Sequence, residues 1–253
     1  RAVAVLASVA CIAAEDTRRT RVLLERYGIQ TPMLALHEHN EERVVPGLVE
    51  RMREGQAIAL VSDAGTPLIS DPGFRLVRSA RRQGLPVVSV PGPSALTAAL
   101  SIAGLPCDRF VFEGFLPARA AARRKRLAQL GGEPRTLVFF ESSHRIVEAV
   151  ADMGAVLGPD REAVICRELT KRFETVLTGT LAALHERLGA DADQQKGEFV
   201  VLVAGQPAAA ELAAGVELAR ALLEFLPASQ AARVAARVTG AARRALYAAI
   251  AEE

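Results

Sequence analysis

The sequence predicts an α/β fold: two sheet-based domains followed by a small C-terminal helical region. Three observations carry this. Short apolar runs alternate with segments of helical periodicity, as in strand–helix–strand units built on a mostly parallel sheet. Polar loops stand just past the apolar runs, the longest of them inside residues 57–73, AIALVSDAGTPLISDPG. Beyond residue 206 the pattern turns to alanine-rich helices punctuated by Pro227 and Gly240.

Residues 57–73 organise the rest. Residues 57–61 read as a buried strand, and Phe74, Leu76, Val77 and Ala80 open a helix after the loop. Connections of this kind usually run about 2–6 residues, so a longer one rich in Gly, Pro and Asp reads as a ligand loop at a strand's carboxyl end. Gly65 lets a ligand approach the backbone, and Pro67 and Pro72 stiffen the loop.

The other elements follow in order. Residues 2–9 read as a helix end entering a strand at 10–14; a signal peptide is the weaker reading, because the acidic Glu15 and Asp16 follow at once. The chain is expected to start inside a domain, with upstream residues lying outside it. Asp16 or Thr17 caps a helix whose apolar face is Val22, Leu23, Leu24 and Tyr27, ended by Gly28. Residues 33–36 form a short strand, 44–52 a helix and 86–90 a further strand, closed by Pro91-Gly92-Pro93-Ser94. Ser94 caps a helix over 95–102. Residues 109–113 alternate, and 114–117 read as a linker, which puts domain boundaries at 1–112, 113–205 and 206–253. The second domain carries a basic run at 119–126, strands at 135–141, 162–168 and 199–204, and helices after Ser142 and over 180–188. Residues 206–214 read as a linker. Residues 229–238 and 241–250 form a helix-turn-helix pair with Arg233, Arg237, Arg243 and Arg244 exposed.

Composition narrows the function classes. Among 253 residues half are apolar and the net charge is +2, so any basic surface is local rather than global. Cys11, Cys107 and Cys166 form no disulfide framework and suit a reducing cytosol. No His, Cys and carboxylate cluster has metal-ligand spacing, and no run approaches the ~18 apolar residues of a membrane span. The absence of G-x-G-x-x-G, of a Walker loop and of G-x-S-x-G argues against dinucleotide oxidoreductases, P-loop NTPases and α/β-hydrolases. Six polar loops just past strands, spread over both halves, point to a ligand cleft between them.

The motifs EDTRRT, VSDAGTPLISDPG, PGPSAL, EGFLP, FFESSHR, RELTK and KGEFVVLV occur in that order. Together they resemble the class III (tetrapyrrole methylase-like) methyltransferases, and within that superfamily the branch acting on small-subunit ribosomal RNA. The resemblance covers about residues 2–205 and extends to the helical tail. It implies a cytoplasmic homodimer that uses S-adenosylmethionine, without a metal, to methylate the ribose 2′-oxygen of a decoding-centre cytidine in 16S rRNA. It assigns cofactor binding to Asp63, Gly65, Thr66, Leu68, Ile69, Ser94, Ala95, Phe140, Glu141 and Gly197.

A ribose hydroxyl needs a base, or a cation beside the developing alkoxide, to become a good nucleophile. Candidate bases are Glu141, Glu168 and Asp16; candidate cations are Arg18, Arg145, Arg167, Lys171 and Lys196. The catalytic cluster expected first is Arg167, Glu168 and Lys171. RNA contact is expected from Arg18, Arg19, Arg123, Arg124, Arg145 and Lys196, with Phe139, Phe140 or Phe173 against a flipped base. Two other readings remain open: a tetrapyrrole methyltransferase, against which the basic run and the helical tail argue, and a non-catalytic RNA- or ribosome-binding protein that keeps the fold.

Overall fold

The computed structural model describes residues 1–206 and 209–251, with no side-chain description for 209–211. Contacts divide the chain into two compact units, Arg1–Ala95 and Leu96–Glu253.

The first unit runs α1 (Ala2–Ser8), β1 (Cys11–Ala14), α2 (Thr17–Arg26), β2 (Met33–Ala35), α3 (Glu41–Arg53), β3 (Ile58–Val61) and α4 (Phe74–Arg82). Its three strands pair in the order β2-β1-β3, all parallel, with Ile12 opposite Met33 and Ala59. Strand alternation sends Ala13 to a cluster with Val45, Leu48, Val49 and Leu76, and Ile12 and Ala14 to one with Leu6 and Leu24. The sheet is therefore covered on both faces, as parallel sheets require.

Three expectations fail here. The α2 face is not Val22, Leu23, Leu24 and Tyr27: only Leu24 and Thr20 are buried, because the helix packs one i, i+4 stripe and the other three residues project outward. Strand β3 is half-buried rather than buried, since it pairs with β1 on one side only. Residues 86–90 form no strand. Pro86 has no N–H to give a ladder, Val88 is exposed, and the Val87 carbonyl accepts a bond from Arg81 at 3.1 Å.

The second unit takes up α5 (Ala95–Ile102), which spans the division, and continues with β4 (Phe110–Phe115), α6 (Ala120–Gln129), β5 (Thr136–Ser142), α7 (Ile146–Leu157), β6 (Glu162–Arg167), β7 (Thr175–Thr180), α8 (Leu181–Ala190) and β8 (Glu198–Val203). The sheet order is β4-β5-β8-β6-β7. Only β4 and β5 pair in parallel; the other pairs are antiparallel, so this sheet is mixed rather than mostly parallel. The expected linker at 114–117 contributes Gly114 and Phe115 to β4, where the register shifts past a bulge, and a boundary at 112/113 would cut that strand. Strand β7 was not anticipated. The core joins Leu137, Phe139, Ile165, Val201 and Val203 to Ile146, Met153, Leu181 and Leu184 of the covering helices.

The tail is α9 (Ala209–Leu222), α10 (Ala228–Thr239) and α11 (Arg243–Ala251). Helix α9 starts inside the segment expected to be a linker; residues 207–208 lie outside the described residues. Its Gly215 brings α9 close to its neighbours: a Cβ there would sit 2.7 Å from Leu246 Cδ2 and 2.9 Å from Thr239 Oγ1. The three helices bury Ala219, Ala231, Ala235, Leu246 and Ile250 against one another, and Arg233, Arg237, Arg243 and Arg244 are exposed as expected.

Candidate active site

In the first unit the site residues gather at the carboxyl ends of β1 and β3. Asp16 caps α2 by accepting from Arg18 N at 2.8 Å, and its own N–H donates to Asp63 Oδ1 at 3.0 Å. Asp63 N in turn donates to Glu15 Oε2 at 3.1 Å. These bonds fix the start of the long loop against the end of β1. The loop's far end is held by Gly73 N donating to Glu41, a carboxylate only 6% exposed. A Cβ on Gly73, whose φ is +119°, would collide with Leu60 Cδ2. Between the anchors, Gly65, Leu68 and Ser70 take φ of 67°, 72° and 65°. Positive φ at a leucine is strained, and such strain persists only where surrounding structure enforces it. Thr66 Oγ1 donates to Pro93 O at 3.0 Å and so joins the loop to the Pro91–Ser94 turn, directly before Ala95 and α5.

The charge of this end is negative. Arg18 hydrogen bonds hold Asp16 far below the usual carboxylate range, which makes Asp16 a poor base. Burial, opposed by a Ser62 hydrogen bond and reinforced by the Glu15 and Asp63 charges, pushes Asp71 up to about 6. Asp71 was not singled out from the sequence. Its burial arises from tertiary packing, and only its place in the SDPG segment was visible.

In the second unit, β5 and β6 both run antiparallel to β8, so their carboxyl ends lie beside β8's start. Glu141, Phe199 and Arg167 form one row across these strands, and Ser142 stands opposite Glu198. The Glu141 side chain is 1% exposed. Its Oε1 takes Arg145 Nη2 at 2.8 Å and Ser142 N at 2.8 Å, while its Oε2 is buried with no partner. Phe140, on the opposite face, packs edge-on to Phe112 and Phe115 with centroids 4.9 Å and 5.8 Å away.

The expected catalytic trio separates into two arrangements. Lys171 Nζ lies 2.8 Å from Glu168 Oε1 and 2.8 Å from Glu198 Oε2. Glu168 Oε1 also accepts from Glu198 N at 2.9 Å. Gly197, φ +105°, leaves room for this: a Cβ there would be 2.5 Å from Glu168 Cγ. Arg167 instead donates to Lys196 O at 2.6 Å and Phe173 O at 2.9 Å, holding both segments that flank the ion pair. Its hydrogen bonds go to these carbonyls and to Thr175 Oγ1 rather than to Glu168 or Lys171. The Lys171 hydrogen bond holds Glu168 below its ordinary value and weakens it as a base. Burial pulls Lys171 down, but bonds to Glu168 and Glu198 outweigh it and keep the ammonium charged.

The expected RNA-binding cations are mostly engaged. Arg123 is 1% exposed and bonds Asp152 at 2.6 Å, so it serves the α6–α7 packing and cannot reach a phosphate. Burial opposes the Asp152 charge, yet the Arg124 and Arg123 bonds hold that carboxyl below its ordinary value. Arg124 also contacts Asp152, Arg145 bonds Glu141 and Leu116 O, and Lys196 pairs with Asp193. Arg18 and Arg19 are exposed but paired with Asp16 and Asp63.

Residues 1–185 match the family profile of tetrapyrrole (corrin/porphyrin) methylases, and residues 208–252 match the RsmI C-terminal HTH domain. A protein of Xylella fastidiosa named ribosomal RNA small subunit methyltransferase I is 55% identical over 98% of this chain and 91% of its own length. The chain belongs to the ribosomal RNA small subunit methyltransferase I family. The protein of that name from Pseudomonas aeruginosa is 53% identical over 98% of this chain and 89% of its own length. Among solved structures, uroporphyrin-III C-methyl transferase from Thermus thermophilus, complexed with S-adenyl homocysteine, superposes with a TM-score of 0.52 at 19% identity, covering 79% of this chain and 88% of that one. That likeness establishes the fold. Within the family, α10 and α11 fall in the segment described as a helix-turn-helix domain, as the periodicity of residues 229–250 predicts.

Proposed function

We propose that this enzyme methylates the ribose 2′-oxygen of a decoding-centre cytidine in 16S rRNA, with S-adenosylmethionine as donor, acting as a cytoplasmic homodimer. The observation that carries the reading is the near-full-length identity with relatives named for methylation of small-subunit ribosomal RNA, across both the methylase segment and the helical tail.

The residues fit the cofactor. A cationic donor suits the carboxylates Glu15, Asp63 and Asp71 beside the loop, and a Cβ at Gly65 would meet open space, so the backbone there is approachable. The unpartnered, buried Glu141 Oε2 suits a hydroxyl or amine donor. The residues that would hold the cofactor are Asp63, Gly65, Thr66, Leu68, Ile69, Ser94, Ala95, Phe140, Glu141 and Gly197. When bound, the cofactor supplies an electrophilic methyl group on a sulfonium.

The chain's own residues orient the acceptor and handle its charge. Lys171, kept protonated by Glu168 and Glu198, offers an N–H to the oxygen as negative charge develops on it, and the hydroxyl proton leaves to water. Arg167 fixes the backbone of Lys196 and Phe173, and through them the loop bearing Lys171. Holding reactants in attack geometry supplies ~7–11 kcal/mol in well-aligned systems, so rigidity of this loop is expected to matter more than acid–base strength.

The test is calorimetric titration with S-adenosylmethionine, followed by methyl incorporation into isolated small ribosomal subunits and mapping of the alkali-resistant ribose. Cofactor binding without RNA methylation would overturn the substrate assignment. Failure to bind cofactor would overturn the enzymatic reading.

A further inference from the structure

A groove of about 290 Å³ lies between α3 and α4 in the first unit. Arg75, Arg78, Ser79 and Arg82 line it from α4, and Glu41 and Glu42 from the start of α3. Val45 and Pro46 form its apolar wall. No motif of the sequence drew attention to it.

The arginines recur at helical spacing. Positions 75, 78 and 82 share one helix face, and 78 and 82 are separated by about 6 Å along the axis. Their partners differ. Arg75 Nη1 pairs with Glu42 Oε1 at 2.8 Å, and Glu41 is committed to Gly73 N. The Glu42 charge is thus matched by Arg75, Glu41 is hydrogen-bonded to a backbone amide, and the three arginines of the groove outnumber its two carboxylates. Arg78 lies over the Phe74 ring at 5.7 Å and Arg82 is exposed; neither has an ion pair among the described residues. This contrasts with Arg18, Arg19, Arg123, Arg124, Arg145 and Lys196, each of which already faces a carboxylate that RNA would have to displace.

We infer that the α3–α4 groove binds the phosphodiester backbone of the RNA substrate through Arg78 and Arg82, with Ser79 as a further donor; this rests on the RNA substrate proposed above. Two unpaired guanidiniums at this spacing present fork-shaped donors to successive phosphate oxygens. Backbone contacts of this type carry register and affinity rather than sequence. The groove also adjoins the long loop, because α4 begins at the residue after Gly73 and Glu41 clamps that glycine. An RNA strand seated here would therefore bear on the segment assigned to the cofactor.

The experiment measures binding of a 16S rRNA transcript by the full chain across roughly 50 to 200 mM salt. It compares wild type, Arg78→Ala/Arg82→Ala and Arg78→Lys/Arg82→Lys, and follows methyl transfer to small subunits in parallel. The alanine pair is expected to lower the slope of log affinity against log salt by about 2, one for each lost phosphate contact, and to raise KM for RNA roughly tenfold. Turnover at saturating RNA and cofactor affinity stay unchanged, and the lysine pair keeps most of the slope. An unchanged slope and KM in the alanine pair would overturn the inference while leaving the proposed function standing. So would displacement of RNA by inorganic phosphate at matched ionic strength, which would mark a small-anion site. If the wild-type chain neither binds nor methylates RNA, both this inference and the substrate assignment fall.

Discussion

Gly197→Ala tests how closely the second unit's polar end is built. The new Cβ would stand 2.5 Å from Glu168 Cγ and 2.6 Å from Glu168 Oε1 at a backbone φ of +105°. Backbone strain alone should cost about 1–2 kcal/mol. Displacing the Glu168 carboxylate forfeits its bonds from Glu198 N at 2.9 Å and Lys171 Nζ at 2.8 Å. Bonds to charged groups are worth about 1.5–3 kcal/mol, and partial exposure of Lys171 places this pair at the lower end. The expected loss is about 3 kcal/mol in urea unfolding, read from the midpoint at constant m value. In a Glu168→Ala background the steric part disappears and the same substitution should cost only about 1–2 kcal/mol, a coupling of ~1.5 kcal/mol. Turnover should fall roughly 100-fold in Gly197→Ala as Lys171 is misplaced, with cofactor affinity less affected. Equal penalties in the two backgrounds would refute the packing of Glu168 across Gly197.

Five further outcomes are expected. Arg123→Ala removes the fully buried partner of Asp152 and leaves that carboxylate only the half-exposed Arg124, so it should lower stability by about 3 kcal/mol, whereas Arg124→Ala, at the exposed end of the same cluster, should cost under about 1 kcal/mol; thermal or urea unfolding distinguishes them. Asp71, raised from 3.8 to about 6, makes its stability contribution below pH ~4 and loses it as pH rises through 6, so Asp71→Asn should gain about 1 kcal/mol at neutral pH, after discounting for solvent screening, and flatten that part of the pH–stability curve. The ionised Asp71 favours a cationic ligand, so S-adenosylmethionine affinity measured by calorimetry should weaken as pH falls through about 6 in wild type but not in Asp71→Asn. Thr66→Val removes the bond to Pro93 O and should weaken cofactor binding by roughly tenfold, about 1.4 kcal/mol, without unfolding the chain. Lys171→Met should lower turnover while leaving the cofactor dissociation constant within about twofold.

Strand pattern was legible where an apolar run meets the core. Strands β1, β2, β5, β6 and β8 fall within a residue or two of their apolar runs, and the loop of residues 62–73 connects β3 to α4 as its glycines and prolines suggest. Two of the errors share a cause. Residues 86–90 carry strand-like side chains but no partner strand among the described residues, and β7 carries Thr175, Thr178, Gly179 and Thr180, with a half-exposed pattern that only pairing with β6 makes a strand. Propensity for extended structure describes a residue's fit to a pleated surface and does not specify whether a neighbour is there to hydrogen-bond.

Charge was harder to read than apolarity, because an arginine's sequence context does not reveal its partner. Arg123 and Arg124 are neighbours in one basic run, yet successive helical positions diverge by about 100°, so Arg123 enters the interior while Arg124 stays at the rim. Their common partner Asp152 lies on another helix, and its 29-residue separation from Arg123 leaves no signal in a local window. The same holds for Glu41, which reaches 32 residues along the chain to hold Gly73. A basic run is therefore weak evidence for a nucleic-acid surface until its ion pairs are known. Arg78 and Arg82 looked ordinary in sequence, but the structure leaves their charge unmatched; Arg123 stood in the most conspicuous run and its charge is fully matched inside the protein. Unmatched charge is what a phosphate can use without first breaking a buried pair, a rupture that costs about 3–5 kcal/mol. Substrate contact is accordingly expected to follow the unpaired arginines rather than the density of arginines along the chain.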